Sequence, residues 1–238
     1  MLVPNFMDES DIEIIESDHF EEILIKKNIN EFIKVVQNLK NRDQATLSLV
    51  AFYVLSFRET LDMLHILINQ FGFVLTDDFL KKYVMLLSRP ENKKIIKDML
   101  GIDIWNFADD HALRYIFMIA CGQNDIQTIS DLINFGFDIN GLPYNDKKDL
   151  LMDINYKNRY DTLQFIIDNG FDLNFVDDTM LFKYIKNCDF EMLKVLTANG
   201  VDFARIHKFD FPKEFNETYN LLVDLNLDPK SISYSFFV

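Results

Sequence analysis

Histidine and cysteine are the residue types in this chain most suited to metal binding or nucleophilic catalysis, and they are few. The 238 residues include four histidines and two cysteines: His19, His65, His111, His207, Cys121 and Cys188. No two of them share the close spacing of a metal site carried on one helix. We therefore predict no metal site, and we interpret both cysteines as small buried apolar residues at turns between helices.

Paired carboxylates are the next candidates, because general acid–base catalysis often uses two of them. Three pairs stand directly before predicted helices: Asp77-Asp78, Asp109-Asp110 and Asp177-Asp178. Acidic residues at that position cap free N–H groups and suit the positive end of the helix dipole. Glycine-rich phosphate loops are also missing, since Gly136 and Gly141 have neither the spacing nor a Lys-Ser/Thr partner. The sequence predicts a protein that is not an enzyme and needs no cofactor.

The charge of the chain narrows the classes of partner. With 24 Lys+Arg against 38 Asp+Glu, the net charge is −14. That balance disfavours nucleic acids and anionic membrane surfaces, and it is compatible with a basic protein partner. No signal peptide or stretch of about 20 apolar residues is visible. We expect an intracellular, cytoplasmic protein.

The seven glycines reveal how the chain is organised. Five of them recur in steps of 29, 35, 34 and 30 residues: Gly72, Gly101, Gly136, Gly170 and Gly200. Apolar residues at offsets −7, −4 and −3 precede the later glycines, for example Leu163, Ile166 and Ile167 before Gly170. Residues at this spacing lie on one face of an α-helix and form an apolar stripe. A glycine directly after such a helix is typical of a C-terminal cap in the left-handed conformation.

Other positions recur in the same frame. Asn226 occupies the glycine position of a further unit, because asparagine tolerates the left-handed conformation. An aspartate lies two residues after each of the last four caps: Asp138, Asp172, Asp202 and Asp228. Four recurrences at one position predict a role in a turn and not in catalysis.

Each unit also contains an earlier apolar helix, such as the one over residues 112–120. A repeat is thus predicted to be loop, helix, short turn, helix and glycine. The fold class is all-α, with about six or seven such units over residues 28–230. Acidic residues 1–27 form a capping helix or an interaction arm, and residues 231–238 form an apolar tail that covers the last repeat or docks into a partner.

These features resemble an ankyrin repeat array, whose unit of about 33 residues pairs a loop with two antiparallel helices. Residues 168–172 (DNGFD) and 198–202 (ANGVD) resemble the end of an ankyrin unit closely. Heavy use of Asn, Ile, Asp, Lys and Phe resembles the divergent ankyrin proteins of large DNA viruses that infect amoebae. The usual Thr-Pro-Leu-His opening is missing, and Phe137 and Phe171 stand where a small residue is usual. The resemblance implies an elongated solenoid held mainly by apolar stacking.

The resemblance also implies non-catalytic protein–protein recognition, as a scaffold or adaptor that uses its concave face and loops. Its partner is a protein, and a host protein if the origin is viral. Aromatic and apolar residues on the loops are the candidate partner-binding residues: Trp105, Phe107, Tyr144, Phe175 and Val176. The other reading of these side chains is that they fill gaps between stacked loops.

A structural protein packed in a multi-copy assembly or virus particle is the alternative function, and the sequence does not decide between a monomer and a homo-oligomer. Replacing Trp105 and Phe107 by alanine distinguishes the two readings of the loop residues. If they bind a partner, binding weakens and stability is kept; if they belong to the core, folding is lost.

Overall fold

A computed structural model describes residues 8–57, 60–101, 103–187 and 189–202. Within these ranges the chain forms fourteen α-helices and two short 3₁₀ helices, and it contains no β-strand. The all-α prediction is therefore confirmed for the described residues. The chain divides into two compact units, one over residues 1–116 and the other over residues 117–238.

The first unit contains eight helices that end before residue 101. They are α1 Glu9–Ile15, α2 Asp18–Ile25, α3 Ile29–Asn38, α4 Gln44–Ser56, α5 Leu61–Phe71, α6 Asp77–Lys82, α7 Val84–Leu87 and α8 Pro90–Leu100. A 3₁₀ helix, Ile104–Phe107, follows and packs against α6, α7 and α8. Helix α9, Asp110–Gln123, spans the boundary between the units.

The acidic N-terminal segment is helical and packed over its described part. Helix α1 contacts α2 and α4, and α2 contacts α3. Phe20 and Leu24 are buried, and the fully buried carboxylate of Asp11 accepts the backbone N–H groups of Lys40 and Asn41, each at 2.8 Å. These contacts pack the described part of the segment against α4 and against the residues that follow α3.

Over its described residues, the second unit contains the C-terminal part of α9 and five further α-helices. After α9 come α10 Ile126–Phe135, a 3₁₀ helix Ile139–Gly141, α11 Tyr144–Tyr156, α12 Tyr160–Asp168, α13 Asp178–Lys186 and α14 Phe190–Ala198. Helix α11 packs on α12, α13 packs on α14, and α12 packs on α14. Helices α10, α12 and α14 each begin ten residues before their glycine, whereas α9, α11 and α13 begin 26, 26 and 22 residues before it, so the second helices keep the glycine frame and the first helices keep it only approximately.

Cap geometry at the five recurring glycines agrees with the prediction. All five have positive φ, from 64° at Gly101 to 104° at Gly136. In the second unit the N–H after each glycine donates to a carbonyl five residues earlier, for example from Phe171 to Ile166 at 2.9 Å. That bond belongs to the Schellman motif, which satisfies carbonyl groups at a helix end. Asn226, Asp228 and the tail over residues 231–238 lie outside the described residues.

The apolar stripes are buried as predicted. The side chains seven and four residues before Gly136, Gly170 and Gly200 are completely shielded from solvent. They are Ile129, Leu132, Leu163, Ile166, Leu193 and Leu196. The −3 positions are half-buried. Phe171 is buried, whereas Phe137 is half-buried with its ring centroid 5.1 Å from that of Phe117. Both rings are therefore shielded at least in part from solvent.

Candidate interaction site

Trp105 is a core residue, so the expectation that it is exposed for a partner is wrong. Only 2% of its surface is accessible, and the 3₁₀ helix that carries it packs against three helices of the first unit. The Asp103 carboxylate accepts the Trp105 N–H at 3.2 Å and begins this 3₁₀ helix. The ammonium nitrogen of Lys93 lies 5.5 Å from the Trp105 ring centroid. Phe107 is half-buried.

Val176 is also buried, with 1% of its surface accessible. Its N–H donates to the Leu173 carbonyl at 2.9 Å in the loop before α13. The exposure predicted for Val176 is therefore wrong as well. Hydrophobic character alone does not separate loop residues that fill gaps from those that face solvent.

Tyr144 and Phe175 form the exposed part of the candidate site. Tyr144 begins α11 and is 44% exposed, while Phe175 is half-buried in the loop before α13. Their ring centroids lie 6.4 Å apart in an edge-to-face arrangement, and Phe175 makes a second such contact with Phe171 at 5.6 Å. Edge-to-face pairs at this separation are favourable beyond the area that they bury. We call this group of three rings the aromatic cluster.

Polar contacts hold the cluster in place. The Tyr144 hydroxyl donates to the Asp177 carboxylate, and the Lys147 ammonium lies 5.6 Å from the Phe175 ring centroid. This hydrogen bond raises the pKa of Tyr144, and burial adds to the shift. Burial alone would raise the pKa of Asp177, but hydrogen bonds from Tyr144 and from the Met180 N–H outweigh it and lower that pKa.

Asn140 is a residue of the site that sequence reasoning missed. Its side-chain amide donates to the Gly170 carbonyl at 2.8 Å, and its amide oxygen accepts the Asp172 N–H at 2.9 Å. Gln44 makes the equivalent pair of bonds with the Gly72 carbonyl and the Val74 N–H. In the sequence, this role is indicated only by a side-chain amide that stands 28 to 30 residues before a glycine cap, as Gln44 does before Gly72 and Asn140 before Gly170.

Two of the four recurring aspartates, Asp138 and Asp172, shape turns as predicted. Asp138 accepts the Asn140 N–H at 2.9 Å, and Asp172 accepts the Asn174 N–H at 2.8 Å. Asp202 is exposed at the same frame position.

The paired carboxylates cap helices in two of the three cases. Asp109 caps α9 through the Ala112 N–H at 2.7 Å, and Asp177 caps α13 through the Met180 N–H at 2.8 Å. For the third pair, Thr76 and not an aspartate caps α6, but Asp77 and Asp78 occupy the first turn of that helix, where carboxylates suit the positive end of the dipole as predicted.

The Cys121 thiol has little reactive character. Cys121 lies inside α9 and not at the predicted turn, with no accessible surface. Burial, with the nearby Asp153 carboxylate, raises the pKa of its thiol and disfavours the reactive thiolate. Cys188 lies outside the described residues. Among those that are described, no three His, Cys, Asp or Glu side chains are placed to hold a metal ion.

No helix in the described ranges combines the length and apolar character needed to cross a membrane. Comparisons with protein-family models, curated proteins and solved structures return no match. The ankyrin resemblance therefore remains a prediction from the sequence.

Proposed function

We infer that this protein is a non-catalytic interaction module, an intracellular scaffold or adaptor built as an ankyrin-like array. The observation that carries this proposal is the aromatic cluster. It places a half-exposed tyrosine and a half-buried phenylalanine side by side on the surface of the second unit. Ordered aromatic side chains on a surface are typical of interface hot spots.

Preorganisation of the cluster strengthens the proposal. Asp177 holds the Tyr144 hydroxyl, Lys147 covers one face of Phe175, and Asn140 ties together the two loops beneath them. A surface whose rotamers are already restrained loses less conformational entropy when a partner binds. The partner class that we propose is a protein, and the resemblance extends this to a host-cell protein.

Quantitative capture with the full chain as bait, in extracts of the cell that makes it, tests the proposal. We expect Tyr144→Ala combined with Phe175→Ala to reduce capture of a specific protein about tenfold or more, since hot-spot residues contribute at least about 2 kcal/mol. Tyr156→Ala is the matched control, because Tyr156 is 84% exposed on α11 and lies outside the cluster. Equal capture by all three proteins, with unchanged melting temperatures, would contradict the proposal.

A structural role in a multi-copy assembly predicts a different result. The purified chain would then sediment as a large, concentration-dependent species without any other protein. Sedimentation velocity on the same three proteins separates the two functions.

A further inference from the structure

Three asparagines of the second unit stand directly before a glycine, in the pairs Asn140-Gly141, Asn169-Gly170 and Asn199-Gly200. Asparagine is a chemically labile residue. It deamidates most readily before glycine, because glycine has no side chain to shield its backbone nitrogen. The contacts that hold each pair therefore decide how easily it reacts in the folded protein.

The reaction joins two atoms within one pair. The glycine backbone nitrogen loses its proton to hydroxide and attacks the asparagine side-chain carbon Cγ. A C–N bond forms, the Cγ–Nδ2 bond breaks, and ammonia leaves with a proton taken from water, which regenerates hydroxide. Water then opens the resulting five-membered succinimide ring at either carbonyl carbon. The product is aspartate or isoaspartate, and one water molecule is the only co-reactant consumed.

Asn169 and Asn199 are restrained by the ends of their own helices. Each side-chain amide donates to the carbonyl four residues earlier at 2.8 Å, which directs it back along the helix and away from the following glycine. The glycine N–H groups are also engaged, because Gly170 and Gly200 donate to helix carbonyls at 2.8 and 3.0 Å. Both reacting atoms of these pairs are thus held by local helix structure.

Asn140 lies instead in the 3₁₀ helix before α11, and its side chain is held by another loop. Its amide donates to the Gly170 carbonyl at 2.8 Å and accepts the Asp172 N–H at 2.9 Å. We call these two bonds the loop joint. The Gly141 N–H donates to the Asp138 carbonyl at 3.1 Å. Opening the loop joint and this one turn bond frees both reacting atoms.

The same motion at Asn169 breaks more bonds. It displaces Gly170 and Phe171, whose N–H groups donate to carbonyls of α12 at 2.8 and 2.9 Å, and it withdraws the buried Phe171 ring. It also breaks the loop joint, because the Gly170 carbonyl is one of the acceptors in it. At Asn199, the side-chain amide has an additional bond to Gln164 of α12 at 3.1 Å.

The turn itself explains why a glycine follows Asn140. A Cβ at Gly141 would lie 2.8 Å from a carboxylate oxygen of Asp138. The other oxygen of that carboxylate accepts the Asn140 N–H at 2.9 Å. The turn that presents Asn140 to the next loop therefore also places the reactive glycine beside it.

Deamidation removes the contribution of Asn140 to the loop joint. An ionised carboxylate only accepts hydrogen bonds, so the product has no donor for the Gly170 carbonyl and sets a negative charge against it. Isoaspartate also lengthens the main chain by one methylene group. Neither product restores both bonds, so the change is one-way.

We propose that Asn140 is a modification site, the first of the three Asn-Gly pairs to deamidate in the folded protein, and that its conversion opens the loop joint. The reaction requires only local opening, which proteins undergo without unfolding as a whole. This inference is independent of the proposed function, because no partner takes part in it.

Incubation of the folded full chain in mildly alkaline buffer, with deamidation followed peptide by peptide by mass spectrometry, tests the order. We expect Asn140 to convert about tenfold or more faster than Asn169 or Asn199, the factor expected for two further hydrogen bonds. In denaturant the three rates should lie close together, because these contacts are then absent. Equal rates in the folded protein, or a slower Asn140, would overturn the site.

Two variants test the effect on the loop joint. Asn140→Asp reproduces one product and should lower the melting temperature by about 2–4 °C, the shift typical of one lost hydrogen bond in a chain of this length. Asn140→Gln is the matched control, because Gln44 makes the equivalent bonds in the first unit. Glutamine deamidates far more slowly, since its ring would have six members.

During the same incubation, the melting temperature of the native chain should move toward that of Asn140→Asp, while that of Asn140→Gln stays constant. A chain fully deamidated at position 140 that melts like the fresh protein would show that the loop joint does not depend on the amide. An equal decline in Asn140→Gln would assign the change to another site and contradict the proposal.

Discussion

The hydrophobic residues that the sequence singled out for partner binding differ in how much of their surface is exposed. Trp105 and Val176 are buried, whereas Tyr144, the first residue of α11, is 44% exposed, although the sequence predicted all three to lie in loops. Tyr144 differs because its hydroxyl reaches a carboxylate at the loop surface, which keeps one end of the ring at the solvent. A functional role is thus proposed for Tyr144, and a structural role is assigned to Trp105.

We expect Trp105→Ala to lower the free energy of unfolding by about 3–5 kcal/mol, since it removes the largest fully buried side chain. Trp105 is the single tryptophan, so intrinsic fluorescence reports on this residue alone. The native emission should be that of a buried indole and should shift to the red on unfolding. Emission already typical of exposed indole in the native protein would contradict the assignment. Phe107→Ala, at a half-buried position of the same 3₁₀ helix, should cost less.

Asp177 should contribute stability that depends on pH. Its pKa is lowered in the folded state, so its contribution is complete above the ordinary pKa of aspartate and is lost as pH falls through the folded value. We expect Asp177→Ala to cost about 1 kcal/mol at neutral pH, as for other N-cap residues, and progressively less in acid. Urea unfolding across the pH range measures this difference.

Asp177→Asn serves as the control for that experiment, because its amide oxygen still accepts the Met180 N–H and does not titrate. The difference in stability between Asp177→Asn and Asp177→Ala should therefore stay constant with pH. A loss for Asp177→Ala that is equally large in acid would show that the ionised carboxylate is not responsible.

Helix ends and the loops that follow them are the elements that repeat. Each described unit of the second half ends a helix with a left-handed glycine, and aspartates two residues later shape the turn at Asp138 and Asp172. Asn140 then joins one such loop to the next through two backbone groups. The apolar helix stripes supply burial, whereas these polar contacts set the register between neighbouring loops.

Gly170→Ala should destabilise the protein by about 1–2 kcal/mol through the backbone alone. No atom lies within 4 Å of the position that a Cβ would take, so the cost comes from the φ of 95° and not from a steric clash. Gly170→Asn should recover part of this loss, because asparagine tolerates the left-handed conformation. Thermal unfolding of the three proteins provides the comparison; equal melting temperatures would show that the cap tolerates a side chain.

Asn140→Ala should cost about 1 kcal/mol, because it removes two hydrogen bonds that join separate loops. Asn174→Ala is a matched control at the same frame position, where the side-chain amide donates to the Asp172 carboxylate of the same loop at 3.1 Å. Hydrogen exchange at the Asp172 amide should accelerate in Asn140→Ala and not in Asn174→Ala. Equal effects of the two substitutions would argue against a role for Asn140 in linking the loops.

At the scale of the whole molecule, charge sets the range of suitable partners. The net charge is −14 and the isoelectric point is about 4.6. Acidic residues dominate the first 25 positions, and helices α1 and α2 keep most of these side chains at the surface while burying Ile15, Phe20 and Leu24. Long-range attraction therefore favours basic proteins at low ionic strength.

We expect solubility to pass through a minimum near pH 4.6, where the net charge vanishes, and to rise steeply toward neutral pH. Light scattering against pH at fixed protein concentration measures this.

Added salt should weaken association with a basic partner because it screens exposed charges. An affinity that is independent of salt would show that the net charge does not steer binding.

Local sequence was sufficient to predict the all-helical class and the left-handed glycines that end five of the helices. Stripes such as Leu163 and Ile166, and the left-handed glycine that follows them, depend on residues within two turns of each other. Helix periodicity and backbone conformation are local properties, so a single sequence contains them. The assignment of Asp138 and Asp172 to turns succeeded for the same reason.

Tertiary structure alone decided which loop residues reach solvent. Trp105 is buried because α6, α7 and α8 pack against its 3₁₀ helix. The residues next to Trp105 in the sequence do not indicate this packing. The meeting of Tyr144 with Phe175 and Asp177, and of Asn140 with Gly170, joins positions 30 or more residues apart. Burial and hydrogen bonding across such separations depend on how successive helices stack, which periodicity does not specify.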